Sequence, residues 1–351
     1  MRFFAHAMIP LAAMAACTGA LAGDKLAVQL SLDQPVVHGD VNVAVNVTVT
    51  NTSGHRIEIP RWQLPSQHLQ GPLFTITGED GRRVNYTGPL IKRAAPRAQD
   101  MVVLEAGATR SFKAELTGAY ELGNGRYTIE YASRGQHGDA VELASAAPLY
   151  LWTEGRSAAA APAATSVLED HAAAVRVGAA TISYTGSCTS SQKSSLASAV
   201  TAATNYATAS ANYLAGSGSG TQRYVKWFGS YTSSRWATAR THYNNEVSAF
   251  TTQPLTLDCS CTDSGTYAYV YPNSPYKIYL CGAFWSAPMT GTDSKGGTLV
   301  HEMSHFTVIA STDDWAYGQT AAANLAKTNP TKALDNADSH EYFAENNPAL
   351  P

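Results

Sequence analysis

Val300-His301-Glu302-Met303-Ser304-His305-Phe306, followed by Ser311-Thr312-Asp313-Asp314-Trp315-Ala316-Tyr317-Gly318, is the stretch from which the rest of the chain is read. On a helix, residues four apart stand one above the other on one face, so His301 and His305 can offer two imidazoles to one metal ion. Glu302 lies beside them, where a carboxylate can take a proton from water held at the metal. The spacing points to a zinc protease helix. Taken alone, the pattern also fits an ordinary surface helix with a His pair and a Glu. Leu299, Val300 and Phe306 argue against that reading, because they make the helix apolar enough to be buried. A buried His-Glu-His cluster needs a partner, and a metal is the one expected.

The third ligand sets the class of site. A metzincin would place Gly and His three and six residues after His305, where this chain has Val308 and Ser311, so that class is excluded. Asp314 lies nine residues past His305. A helix ending near Ala310 and turning through Ser311-Thr312 would return its oxygen to the metal and leave a fourth position for water. Glu341, from a later helix, is the alternative third ligand. Asp338 and Glu341 are three residues apart and share a helical face; such a pair is either a solvated acidic face or the two walls of a cation site.

A length of 351 residues predicts more than one domain. Arg2 precedes a short apolar run that ends at Ala20-Leu21-Ala22, the pattern of a cleaved secretory signal over residues 1–22. Removing Cys17 with it leaves Cys188, Cys259, Cys261 and Cys281, an even set suited to two disulfides in an oxidising compartment. Spacing allows three connectivities, although Cys259 and Cys261 are badly placed to bond each other. A four-cysteine zinc site would need paired Cys-x-x-Cys knuckles, which are absent. The formal charge of −3 is spread along the chain without a basic cluster, so neither nucleic acid nor an anionic membrane is an expected partner.

From Lys25 to about Trp152 the pattern alternates every two residues, as in Val41-Asn42-Val43-Ala44-Val45-Asn46-Val47-Thr48-Val49, with turns such as Gly123-Asn124-Gly125 between the runs. Residues 23–155 are therefore expected to form an all-β immunoglobulin-like sandwich. Residues 156–180, rich in Ala, read as a linker, with a short helix near Ser166 to Arg176. Residues 181–351 read as a mainly helical, α+β domain. Helices are expected over Ser190 to Leu214, Ser234 to Phe250, Tyr317 to Lys327 and Pro330 to Asn346, with a small antiparallel sheet between Leu255 and Cys281. That hairpin offers an edge to which a peptide can add as a strand.

The segment from about Thr181 to Pro351 resembles the aspzincins, the deuterolysin-type zinc metallopeptidases, and within them the peptidyl-Lys metalloendopeptidases. Besides the motif, the likeness rests on Trp227-Phe228-Gly229, Cys259-Ser260-Cys261, Ala268-Tyr269-Val270-Tyr271-Pro272-Asn273, Cys281-Gly282-Ala283-Phe284-Trp285 and Glu341-Tyr342-Phe343. The resemblance implies a zincin-type fold and one Zn2+ held by His301, His305 and Asp314. It also implies Glu302 as general base, Tyr317 as a hydroxyl supporting the transition state, and disulfides Cys188–Cys259 and Cys261–Cys281. Asp338 and Glu341 would then bind the ammonium of a lysine just after the cleaved bond, the P1′ position. The family pattern has Gly before the Thr of the turn, where this chain has Ser311.

Two functions are carried forward. The first is a secreted, monomeric zinc metalloendopeptidase made as a zymogen, acting on proteins and peptides, with its N-terminal sandwich as an intramolecular inhibitor. The second is a secreted adhesion or binding protein with a catalytically silent zinc domain; an intact Glu302 favours the first. No lysine lies between Gln136 and Gln192, so a Lys-directed enzyme cannot free itself by cutting within the linker. Lys92 is a lysine that the N-terminal region could extend to the acidic pair, but an ordinary surface lysine is the reading expected for it.

Overall fold

The computed structural model describes residues 26–133, 143–157, 175–177 and 180–351. The expected leader and most of the expected linker lie outside the described residues. The helix expected near Ser166 to Arg176 lies outside them too, except that its last two positions fall in a strand.

The N-terminal part is β-rich. Its strands are β1 (Leu26–Leu32), β2 (Val36–His38), β3 (Ala44–Asn51), β4 (Ile57–Pro60), β5 (Phe74–Gly78) and β6 (Leu90–Arg93). After them come β7 (Met101–Leu104), β8 (Thr109–Glu115), β9 (Gly125–Ser133), β10 (Leu143–Ala144) and β11 (Leu149–Glu154). Period-two burial explains β3: Val45, Val47 and Val49 face the core while Asn46, Thr48 and Thr50 point away. One sheet runs β1-β3-β8; another runs β10-β9-β11-β2, with β5 also on β9 and β2 parallel to β11; β4 pairs with β7. They enclose a core that includes Val47, Ile59, Leu104, Ile129 and Tyr131.

The C-terminal part begins with β12 (Val175–Val177), β13 (Ala180–Thr185) and the helices α1 (Ser190–Ala215), α2 (Gln222–Phe228) and α3 (Ser233–Thr252). Next are β14 (Leu255–Asp258), β15 (Thr266–Val270), β16 (Lys277–Leu280) and α4 (Gly282–Ser286). Then come α5 (Lys295–His305), α6 (Gln319–Thr328), α7 (Pro330–Leu334) and α8 (Ala337–Glu345). A capping box between Thr189 and Gln192 starts α1, whose buried Leu196, Val200, Ala203, Ala207 and Leu214 recur at helical intervals. Every residue of α5 is buried, so this helix lies at the centre of the domain.

Two expectations are corrected. The sheet is not a small antiparallel one: it is six-stranded and mixed, in the order β12-β13-β14-β16-β15-β6, with β13, β14 and β16 mutually parallel. Parallel neighbours need a long crossover, which α1 to α3 supply between β13 and β14. Its edge strand β6 comes from the N-terminal region and pairs antiparallel with β15, Ile91 opposite Tyr269. The helix expected from Pro330 to Asn346 is broken into α7 and α8 at Asp335-Asn336.

Disulfides join Cys188 to Cys259 and Cys261 to Cys281. Among the described residues no helix is long and apolar enough to cross a membrane.

Helix α8 meets α3 through two imidazoles. His340 Nδ1 lies 3.1 Å from the Asn336 carbonyl and His340 Nε2 lies 3.0 Å from His242 Nδ1. His340 Nδ1–H donates to the carbonyl, and the two facing nitrogens share one proton, so the rings cannot both be charged in this arrangement. Burial pushes His340 down to about 3 and His242 down to about 4, against an ordinary 6.5. Since both folded values are depressed, the stability contributed is full above pH 6.5 and is lost as pH falls towards 4. Each histidine accounts for up to about 1.4 kcal/mol per pH unit. Compared from pH 7.5 to 4.5, the full chain is expected to lose more stability below pH 6.5 than its His242→Gln variant. Parallel melting curves for the two would dismiss the pair as a source of that loss.

Candidate active site

Ser294 caps α5 by accepting from Gly297 N–H, and the helix brings His301 and His305 to one face, both fully buried. It ends at His305, short of the Ala310 expected, because Phe306 leaves helical backbone. Ser311 then takes φ +54°, a left-handed conformation that glycine adopts without strain. This is the position at which the family pattern has Gly. The returning chain is tied down from α8's side: Asn336 Oδ1 accepts from Trp315 N–H and Ala316 N–H, both at 2.9 Å, and Asp313 N–H donates to Asp335 O at 2.8 Å. The break between α7 and α8 supplies that anchor, and it delivers Asp314 to the histidines.

His301 Nε2 and His305 Nε2 are 3.2 Å apart, and Asp314 Oδ1 is 3.2 Å from the first and 3.4 Å from the second. Donor atoms at the corners of a tetrahedron with zinc bonds of ~2.0–2.1 Å stand roughly 3.3 Å apart, so this donor set fits zinc. The far nitrogens are held as a metal site requires. His305 Nδ1–H donates to the Thr312 carbonyl at 2.7 Å, which leaves Nε2 its lone pair. His301 Nδ1 lies 2.8 Å from Asp338 Oδ1, off the line of an ideal hydrogen bond. Glu302 is fully buried, and among the described residues no hydrogen-bond donor reaches either of its oxygens.

Behind His301, Asp338 and Glu341 form an acidic pocket that already holds a cation. Lys92 is not the surface lysine expected: it is 1 % exposed, its Nζ 2.6 Å from Glu341 Oε2 and 3.1 Å from Asp338 Oδ1. Its ammonium also explains why His301, Asp338 and Glu341, which converge as a second potential metal triad, need no metal. The pairing of β6 with β15 places it there. One residue earlier, the Ile91 carbonyl accepts from Tyr317 Oη–H.

The comparisons with known proteins bear on the whole chain. Residues 213–345 match the family described as lysine-specific metallo-endopeptidase. An extracellular protease of Aeromonas hydrophila is 44 % identical over 94 % of this chain and 96 % of its own length. A peptidyl-Lys metalloendopeptidase of Grifola frondosa is 37 % identical over 99 % of both. This chain is an aspzincin. A solved zinc peptidase from Grifola frondosa is 55 % identical over 47 % of this chain and all of its own, with a TM-score of 0.45. Aspzincins are zinc metallopeptidases, and the class of enzyme expected from the sequence is therefore the right one.

Burial sets the electrostatics of this aspzincin. It pushes the Glu302 carboxyl up to about 7, against the opposing pull of His301 and His305, which suits a base working near neutrality. Burial would also raise Asp314, but the two imidazoles outweigh it and hold the carboxyl far below its usual range. At Lys92 burial favours the neutral amine, yet Asp338, Glu341 and Asp293 together raise it well above an ordinary lysine. Sequence reasoning missed Asp293, whose Oδ1 sits 3.7 Å from Lys92 Nζ and accepts from Tyr342 Oη–H. It also missed Glu345, which accepts from Ser294 N–H and Oγ–H. Gly297 leaves room for this carboxylate and for Glu341: a Cβ there would lie 2.1 Å from Glu345 Oε1 and 3.0 Å from Glu341 Oε1.

Proposed function

We propose that this aspzincin is a secreted metalloendopeptidase, made as a zymogen, that cuts peptide bonds on the N-terminal side of lysine. The observation that carries the reading is the buried Lys92 ammonium between Asp338 and Glu341, with the preceding carbonyl on Tyr317. A lysyl substrate lying along β15 as β6 does would put its P1′ ammonium in the pocket and its scissile carbonyl at the Tyr317 hydroxyl. Residues 1–22 would direct export, and residues 23–155, of immunoglobulin-like type, would be the inhibitory propeptide, separated by residues 156–180 from the catalytic half.

In this reading His301, His305 and Asp314 would hold one zinc ion, which would supply Lewis acidity to the water and the scissile carbonyl. Glu302 accepts the proton from the attacking water and carries it to the departing amine. Tyr317 Oη–H donates to the carbonyl oxygen as charge gathers there. Asp338 and Glu341 choose the substrate: an ammonium with three donors suits two converging carboxylates, whereas guanidinium is longer and planar. Lys92 occupies the same pocket and so keeps substrates out. A silent binding protein would have no use for a buried base beside an open metal donor set.

Digestion of a denatured protein, followed by sequencing of new N-termini, tests specificity. Lysine is expected at nearly all of them, and Glu341→Gln is expected to lower kcat/KM on lysyl peptides about 10²-fold, because it removes one partner of a buried charge pair. Mixed residues after the cut would remove the proposed roles of Asp338 and Glu341.

A further inference from the structure

We infer that Asp338 is a positioning residue through which a lysine ammonium in the pocket organises the metal ligand and the Tyr317 turn, so that lysine preference is expressed in kcat as well as in KM. This rests on the P1′ reading above. Asp338 is 1 % exposed and uses both oxygens. Oδ1 faces two groups at once, His301 Nδ1 at 2.8 Å and the Lys92 ammonium at 3.1 Å. Oδ2 accepts from Gly318 N–H at 2.6 Å, the peptide that directly follows Tyr317. One carboxylate thus touches the metal ligand, the specificity cation and the backbone that carries the transition-state hydroxyl.

The other pocket acids are wired differently. Glu341 Oε2 reaches the ammonium at 2.6 Å and His301 Nδ1 at a looser 3.4 Å. Asp293 sits at the rim on the ammonium and on Tyr342. Glu345 is held by Ser294. Asp338 and Glu341 converge on one imidazole nitrogen inside the protein, and without a cation between them they repel. Separation of the pair moves Asp338, and that frees the His301 ring and the Gly318 peptide together. A bound ammonium keeps the pair converged and both groups in place, so a side chain that fills the pocket without charge gains binding but not this alignment.

The test uses the active enzyme recovered after expression of the full chain. A peptide with Gly at P1′ leaves the pocket open to free n-butylammonium, which reproduces the lysine side chain beyond Cα. Butylammonium is expected to raise kcat on the Gly peptide saturably, by about 5- to 100-fold, and neutral n-butanol to leave it unchanged. Asp338→Asn is expected to abolish that stimulation and to weaken zinc binding, measured by equilibrium competition with a chelator, about 10- to 100-fold. Asp293→Asn is expected to raise the amine concentration needed and to keep the full stimulation. A preference for lysine confined to KM, with no amine effect on kcat, would overturn the inference and leave the specificity standing. Parental zinc affinity and full stimulation in Asp338→Asn would overturn it as well. Absence of any lysine preference would instead sink the underlying P1′ reading.

Discussion

The full-length chain carrying Lys92→Met is expected to hydrolyse lysyl peptides about 10²–10³-fold faster than the unprocessed parent. In the parent, the ammonium is buried against two carboxylates and within 3.7 Å of a third. Deleting one partner of a buried charge cluster leaves the others uncompensated, at a cost of about 3–5 kcal/mol. That cost falls on the closed arrangement alone, because with β6 off the β15 edge the carboxylates regain water or a substrate lysine. The population of open chains rises by the corresponding factor. Initial rates on a lysyl peptide, with the mass of the chain verified before and after, measure the effect. Lys92→Arg is expected to fall between the two. A Lys92→Met chain as silent as its parent would mean that backbone pairing with β15, not the ammonium, closes the site.

The second large effect is at Glu302. Glu302→Gln keeps the shape of the side chain and removes the base, and general-base catalysis accounts for about 10²–10⁴ in rate; a loss near the upper end is expected from a buried residue with no competing donor. Zinc content should be unchanged, because the three converging donor atoms belong to His301, His305 and Asp314. With the metal stripped from both proteins, melting should be as high as in the parent or higher near neutral pH. Without metal the folded carboxyl sits at about 7 against an ordinary 4.5, so above pH 4.5 its ionisation costs stability, and the amide escapes that cost. Activity within tenfold of the parent, at full zinc occupancy, would rule Glu302 out as the base.

Much of this was legible because it is local. His301 and His305 share a helical period, Asp338 and Glu341 share another, and the valines of β3 alternate. What escaped depends on distant partners. Nothing in Gly88-Pro89-Leu90-Ile91-Lys92-Arg93 announces that Lys92 will be buried, since its acceptor Asp338 is 246 positions away. The centre of the sheet was misread because β13 and β14 become neighbours only after three helices have intervened. Pro330 to Asn346 has no local reason to stop being helical at Asn336; the reason is the loop on the far side, whose Trp315 and Ala316 amides need its side chain. Asp293 precedes the helix-capping Ser294, and its partners Tyr342 and Lys92 are not its neighbours in sequence. At Ser311, where the chain departs from the glycine of the family pattern, the backbone keeps the left-handed conformation that a glycine would take.

The strand that lies in the cleft is fastened at both ends. Before it come β4 and β5, after it β7, β8 and β9, and the pairs β4–β7 and β5–β9 tie the two sides together across it. Severing the chain anywhere within Leu90–Arg93 would therefore leave both new ends laced into the same β layers, still pressed against β15. Under the zymogen reading proposed above, one cut in this strand would not by itself open the cleft, and heat, denaturant or a protease that dismantles the strands would be the opening stimulus.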